Sequence, residues 1–191
     1  MAAQPDALQD LIDDLVRHAH GNPAGVKEIL AEHPQLVNAQ ARWGETPLQA
    51  AAQMGNIEIT EYLLDRGALL DICTAAMLGL ADTVHILLTD DPRLARATGA
   101  HGLPVLYFAV IHGGMQIAEM LRRHGAMVNA GEGAATPLHA AAMFNRPEMA
   151  AWLLKHGARR DAKDGNGKTA LQIAEEKGHA AVAEILRRHG G

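Results

Sequence analysis

The sequence predicts an all-α fold, an array of short helix-turn-helix units, and three observations predict it. The 191 residues are 48% hydrophobic but only 3% aromatic, so the apolar mass is Ala, Leu, Ile, Val and Met. That composition suits closely packed helices better than strands rich in β-branched and aromatic residues. Aligning the turn residue behind each Ala-rich segment (Gly21, Gly55, Gly79, Gly113, Asn145, Gly178) gives spacings of 34, 24, 34, 32 and 33 residues. One period held across four of five intervals marks a repeat architecture. Around these markers one phrase recurs, as in "TPLQAAAQMGNIEITEYLLDRGA", "LYFAVIHGGMQIAEMLRRHGA", "TPLHAAAMFNRPEMAAWLLKHGA" and "TALQIAEEKGHAAVAEILRRHGG".

A more distant copy, "GNPAGVKEILAEHPQLVNAQARWGET", opens the array and pairs with "GLADTVHILLTDDPRLARATGAHGLP", down to the shared Pro and Leu of "HPQLVNA" and "DPRLARA". In the clearer copies Thr46 and Thr136 stand where an N-cap accepts hydrogen bonds from orphan helix N–H groups, and Pro47 and Pro137 follow at a position that loses no donor. Gln49 and Gln172, three residues after their Thr, complete a capping-box pattern. Gly or Asn then ends the first helix. A second begins with periodic apolar residues such as Ile59, Tyr62 and Leu63, and Gly67, Gly125 and Gly157 close it. Ala50–Ala52, Ala75 and Ala76, and Ala140–Ala142 let the first helices approach closely. At roughly two to three turns none of these helices is stable alone in water, so each leans on its neighbours. The tiling gives one array over 1–191: a divergent capping repeat at 1–41, internal repeats at 42–71, 72–101, 102–134 and 135–166, and a C-terminal capping repeat at 167–191.

Several function classes recede. A formal charge of −5 argues against a general nucleic-acid binder, which needs a basic face to displace counterions. No segment reads as a signal peptide or a membrane span, so the expected compartment is the cytoplasm. Cys73, the sole cysteine, allows no internal disulfide or multi-Cys zinc site, in keeping with a reducing location. There is no serine, hence no Ser nucleophile or Ser-based phosphate loop. No cofactor, no metal and no catalytic residue is expected. His124, His156 and His189 stand at the ends of second helices, where they complement the dipole, as do Arg122 and Arg123, Arg159 and Arg160, and Arg187 and Arg188. Stacked, those Arg pairs would form a basic ridge, read first as solvation and second as a site for an acidic partner. His18 and His20 are two apart and make a poor metal pair. Asp13, Asp14, Asp90 and Asp91 read as solvent-facing.

The motif of TPLHxAAxxG followed by a second half ending in LLxxGA resembles the ankyrin repeat. It is carried most fully by residues 45–71 and 136–162, less fully by 104–130 and 167–191, and covers about five repeats beside the divergent N-terminal pair. The resemblance implies an L-shaped solenoid of stacked helix pairs with short β-hairpin fingers, and a concave face made of fingertips and first helices. One finger is missing near residue 71: from Gly125 to Ala141 is 16 residues, from Gly67 to Ala75 only 8. Asp71 then caps the next helix directly. The gap reads either as a tolerated deletion in a solenoid that needs only neighbour contacts or as a notch admitting a partner to Met77 and Leu78.

In family members the two x positions of AAxxG lie near the concave side. Here they are Gln53 and Met54, Met77 and Leu78, Ile111 and His112, Met143 and Phe144, then Glu176 and Lys177. Four successive repeats supply an apolar residue. If exposed, they form an adaptable Met-rich patch of the kind that marks an interface; alternatively one of each pair packs between repeats. Trp43 adds an aromatic anchor, and Arg42 and His101 join it at fingertips. Tyr107 falls where His139 sits in its own repeat, and His139 reads as a tie between hairpins rather than a ligand. The expected function is a monomeric, non-catalytic module that binds an unidentified partner protein through Arg42, Trp43, Met54, Met77, Leu78, His101, Tyr107, Ile111, His112, Met143 and Phe144. No nucleic acid and no membrane is expected as a partner. The alternatives are a self-associating assembly protein, or a regulator that inhibits its partner by binding.

Overall fold

A computed structural model describes residues 5–188; His189, one of the predicted helix-end histidines, lies outside them. Helices and turns build the fold. Among the described residues, strand-type pairing is confined to one bridge between Thr98 and Pro104. The chain forms two compact units, divided between Thr74 and Ala75.

The N-terminal unit holds α1 (Pro5–Ala19), α2 (Pro23–Glu32), α3 (Pro47–Gln53), α4 (Ile57–Leu64) and the start of α5 (Ile72–Met77). α1 packs on α2 and α3, and α2 on α4. Leu15, Val16, Ala19, Val26, Leu30, Ala50, Ala51, Ile59 and Leu63 fill the space between them. The starts of α2 and α4 are capped as the residues require: Asn22 accepts from the Gly25 N–H at 3.2 Å and Asn56 from that of Ile59 at 3.1 Å. Thr46 and Gln49 form the reciprocal box, at 3.2 and 3.0 Å. α1 and α2 are in close contact at Gly25, where a Cβ would lie 2.6 Å from the His18 ring.

The C-terminal unit holds the rest of α5, then α6 (Ala81–Asp90), α7 (Val105–His112), α8 (Met115–Arg123), α9 (Pro137–Met143), α10 (Pro147–Lys155), α11 (Ala170–Glu176) and α12 (Ala180–Arg188). α9 lies between α7 and α11, α12 packs on α10, and α6 packs on α8. Ala140, Ala141 and Ala142 are wholly buried, which is the close approach the small residues allow. A left-handed residue follows α7 and α9: Gly113 at φ +85° and Asn145 at φ +51°. Asn is among the few side chains that adopt this conformation at low cost, so the marker survives the loss of glycine.

The connections from second helix to next first helix span 33–46, 91–104, 124–136 and 156–169, but only 65–71 between α4 and α5. The fingers are tight turns rather than strand ladders, closed by Ala41 N to Glu45 O (2.9 Å), Gly99 N to Leu103 O (2.8 Å) and Asp164 N to Lys168 O (2.9 Å). In the first two, a proline-led segment, Pro34–Asn38 or Pro92–Arg96, winds into a 3-10 turn before the closing bond. The short connection has no finger, and Asp71 accepts from the Thr74 N–H at 2.7 Å, capping α5 directly. Asp71→Ala should therefore lower the unfolding free energy by about 1 kcal/mol in urea titration; an unchanged midpoint would mean that water serves the Thr74 N–H equally well.

Candidate functional site

In three of the five pairs the positions behind the Ala-rich helix divide by burial. Met77 is 2% exposed and Ile111 4%, packed between helices, so the expectation that they face a partner is corrected. Both sit inside the last turn of their helix, where the side chain points back onto the neighbouring repeat. The second member of each pair lies at the end of the helix or just past it: Met54 is 49% exposed, His112 is exposed, and Leu78 and Phe144 are half-buried. Met143 is half-buried as well, and Glu176 and Lys177 are fully outside. In the C-terminal unit the emergent row is therefore Leu78, His112, Phe144 and Lys177, mixed in character rather than uniformly apolar.

Tyr107 is also corrected from surface to core. It is 6% exposed and edge-on to Phe108 (5.7 Å) and Phe144 (6.4 Å), so it braces Phe144 from beneath. Burial, with Asp164 nearby, pushes its phenol up to about 12. In the next repeat the same position is His139, whose Nδ1 accepts from the Thr136 N–H at 3.0 Å while Nε2–H donates to Lys168 O at 3.1 Å. These bonds fix the neutral Nε2–H tautomer and tie the repeat to the following finger. Burial holds the His139 pKa below the ordinary value, against the opposing pull of Lys168 O and Asp164.

The fingertip of the N-terminal unit is rigid. Trp43, 43% exposed, donates Nε1–H to Glu45 at 2.7 Å and lies under the Arg17 guanidinium at 5.5 Å. Arg42 is engaged from below by Asp10 (2.7 Å) and Asp13 (2.6 Å). Asp13 is therefore buried, contrary to its solvent-facing reading. Burial opposes its ionised form, but hydrogen bonds from the Arg42 backbone, Gln9 and the Arg42 guanidinium hold its pKa below the usual carboxylate range. In the C-terminal unit His101 is exposed at φ +54°, a conformation few side chains adopt.

The histidines and arginines at helix ends behave as dipole partners. His124 and His156 donate Nδ1–H to Met120 O and Trp152 O, each at 2.8 Å. Acids quench much of the predicted basic ridge: Glu119 takes Arg122 and Arg123, Glu132 takes Arg159, Glu175 takes Arg187 and Glu184 takes Arg188. The carboxyl of Glu119 is held down to about 2 by the hydrogen bonds of Arg122 and then Arg123. Two ties escaped the sequence reading. Arg146 donates Nε and Nη2 to Ile111 O at 2.9 and 2.7 Å, and His179 donates Nδ1–H to Ala142 O at 2.8 Å. Both follow the left-handed turn and close the C-terminus of the preceding repeat's first helix, and their recurrence one period apart was the available signal. Cys73 is buried, which raises its thiol pKa well above the ordinary value and leaves it unreactive. No described helix is long and apolar enough to cross a membrane.

Stacked helix pairs joined by fingers define a repeat solenoid. Residues 72–164 and 131–191 match the family model for ankyrin repeats in three copies, and residues 43–75 match that for the single ankyrin repeat. The chain belongs to the ankyrin repeat family, whose repeats generally mediate protein–protein interaction and whose members are typically non-catalytic. It is similar to cyclin-dependent kinase 4 inhibitor B of Rattus norvegicus, 33% identical over 133 residues that cover 68% of this chain and 99% of the relative. It is 31% identical over 183 residues to the ankyrin repeat and KH domain-containing protein mask-1 of Caenorhabditis elegans, covering 89% of this chain and 7% of that one. To the E3 ubiquitin-protein ligase Ufd4 of Drosophila melanogaster it is 42% identical over 92 residues, covering 47% and 3% respectively. The chain thus spans a small fraction of these last two relatives.

The geometry of His139 has a measurable consequence. Its folded pKa is depressed, so below the unfolded value of about 6.5 the unfolded chain binds the proton first and the His139 contribution is lost as pH falls; above that value it is fully present. The thermal midpoint of His139→Gln should therefore decline less than that of the wild type between about pH 7 and 5.5. Parallel pH curves for the two proteins would show that His139 does not titrate with folding.

Proposed function

We propose that the chain is a non-catalytic module that captures a partner protein on the side where the first helices end and the fingertips project, the concave face of the family's architecture. The division of the paired positions carries this reading. At Gln53–Met54, Met77–Leu78 and Ile111–His112 the first member packs into the array and the second is left more exposed, which is how a rigid scaffold presents a row of interchangeable contacts. In the C-terminal unit the contacts are Leu78, His112, Met143 and Phe144, with His101 beside them; in the N-terminal unit they are Met54 and Trp43, with Arg42 fixing the fingertip beneath. Phe144 and Trp43 suit the role of anchors because their rings are already held, by Tyr107 and by Glu45 with Arg17, so little side-chain entropy is lost on binding. A buried thiol with no disulfide and a largely paired charged surface fit a monomer in the cytoplasm. That one relative is named as a kinase inhibitor supports the finer reading that binding here inhibits the partner.

The test is affinity capture from native extract with mass spectrometry, using wild type, Phe144→Asp and Trp43→Ala, each shown by circular dichroism to be folded. A partner should be retained by the wild type and lost from at least one variant, with affinity reduced about 30-fold or more for a hot-spot anchor. A partner retained equally by all three would place recognition on another face.

A further inference from the structure

Three inter-repeat joints of the chain are built on equivalent positions, and one of them is altered. At the first, Asn38 donates Nδ2–H to Gly67 O and accepts from the Leu69 N–H, both at 2.9 Å. Another repeats it: Asn129 donates to Gly157 O at 2.9 Å and accepts from the Arg159 N–H at 2.8 Å. One amide thus satisfies a carbonyl and the N–H two residues further on. In the remaining joint the Asn is replaced by Arg96, whose Nε–H donates to Gly125 O at 3.2 Å. A guanidinium has no acceptor atom, so the Met127 N–H, partner of Asn at the other joints, has no hydrogen-bond partner among the described residues. No carboxylate of the described residues pairs with Arg96 either.

A second change sits beside the first. The residue before the Asn is Val37 or Val128 at the other joints and Ala95 here. Beside it lies a cavity of about 240 Å3, walled by Ala95, Pro104, Leu106 and Ala126 and flanked by the exposed Met127 side chain, with Arg96 among its lining residues. An apolar cavity bounded by one unpaired N–H and one cation without a counter-charge has the two complementary requirements of an amphiphilic anion.

We propose that this joint in the C-terminal unit is a binding site for a small monocarboxylate with an apolar tail, the carboxylate held between the Met127 N–H and the Arg96 guanidinium and the tail in the cavity. The site is separate from the row of contacts proposed for a partner protein and does not depend on that reading. The carboxylate supplies the acceptor that Asn provides at the other joints, and a planar oxygen pair suits the guanidinium fork better than a point contact would. The tail occupies the cavity beside Ala95.

Octanoate is the probe, titrated calorimetrically into the full chain, with octanol as the uncharged control. Saturable binding of one octanoate per chain is expected with Kd on the order of 0.1–1 mM, the range for a ligand of this size, and octanol should bind at least about tenfold more weakly, roughly the loss of one charge-assisted hydrogen bond. Ala95→Leu fills the cavity and should abolish binding. Arg96→Asn restores the amide of the other joints and should abolish binding while leaving the thermal midpoint unchanged or higher, which separates loss of the site from loss of the fold. The proposal is overturned if octanoate does not bind, if octanol binds as well, or if Ala95→Leu and Arg96→Asn bind octanoate like the wild type.

Discussion

Everything in this structure depends on the fact that a helix of two turns cannot hold itself together in water. Helix nucleation is too costly for α3, α9 or α11 to exist alone, so each must present a smooth face to a neighbour and receive one in return. Alanine makes that possible. With Ala50, Ala51, Ala140, Ala141 and Ala142 fully enclosed, the backbones approach closely enough for a polar atom of one repeat to reach the backbone of the next. The ties of Asn38, Asn129, His139, Arg146 and His179 all cross from one repeat to another. They are consequences of the close approach, and they fix the register that packing of small side chains leaves loosely specified.

The same constraint separates recognition from stability. Residues inside the last turn of a first helix are committed to the neighbour, as Met77 and Ile111 are, and changing them would disturb the array. Residues at the helix end or just past it, such as Met54, His112 and Phe144, are less buried and carry less of that burden. Tyr107 shows how the two roles connect: it occupies the structural histidine position, gives up the tie to the next finger, and uses the space to support the half-buried Phe144.

The short connection between α4 and α5 has a related logic. The repeat that follows it, α5 with α6, shares its second half with the opening pair α1 with α2: both end their second helix in a proline-led 3-10 turn rather than in glycine. No finger precedes the α5–α6 pair, which stands at the start of the C-terminal compact unit. A repeat without a preceding finger lacks the Asn tie onto the end of its second helix, and the proline-led turn ends that helix without it.

The period, the capping boxes, the helix pairs and the absent finger were legible in the sequence, because each is set by local chemistry: Thr and Gln three apart, Pro at a first turn, a left-handed residue at a fixed interval, a connection too short to turn back on itself. Asp71 could be assigned its cap for the same reason. What the sequence could not decide was which member of an adjacent pair faces outward. Both positions of Met77–Leu78 and of Ile111–His112 are compatible with helix and with surface, and only the stacking of the next repeat determines which is covered. The burial of Asp13 beneath Arg42 and the altered joint at Arg96 were equally hidden, since each depends on a partner about 29 residues away in the chain. Local rules fixed the elements of this protein; contacts one repeat apart, created by the close packing of its alanines, decided its surface.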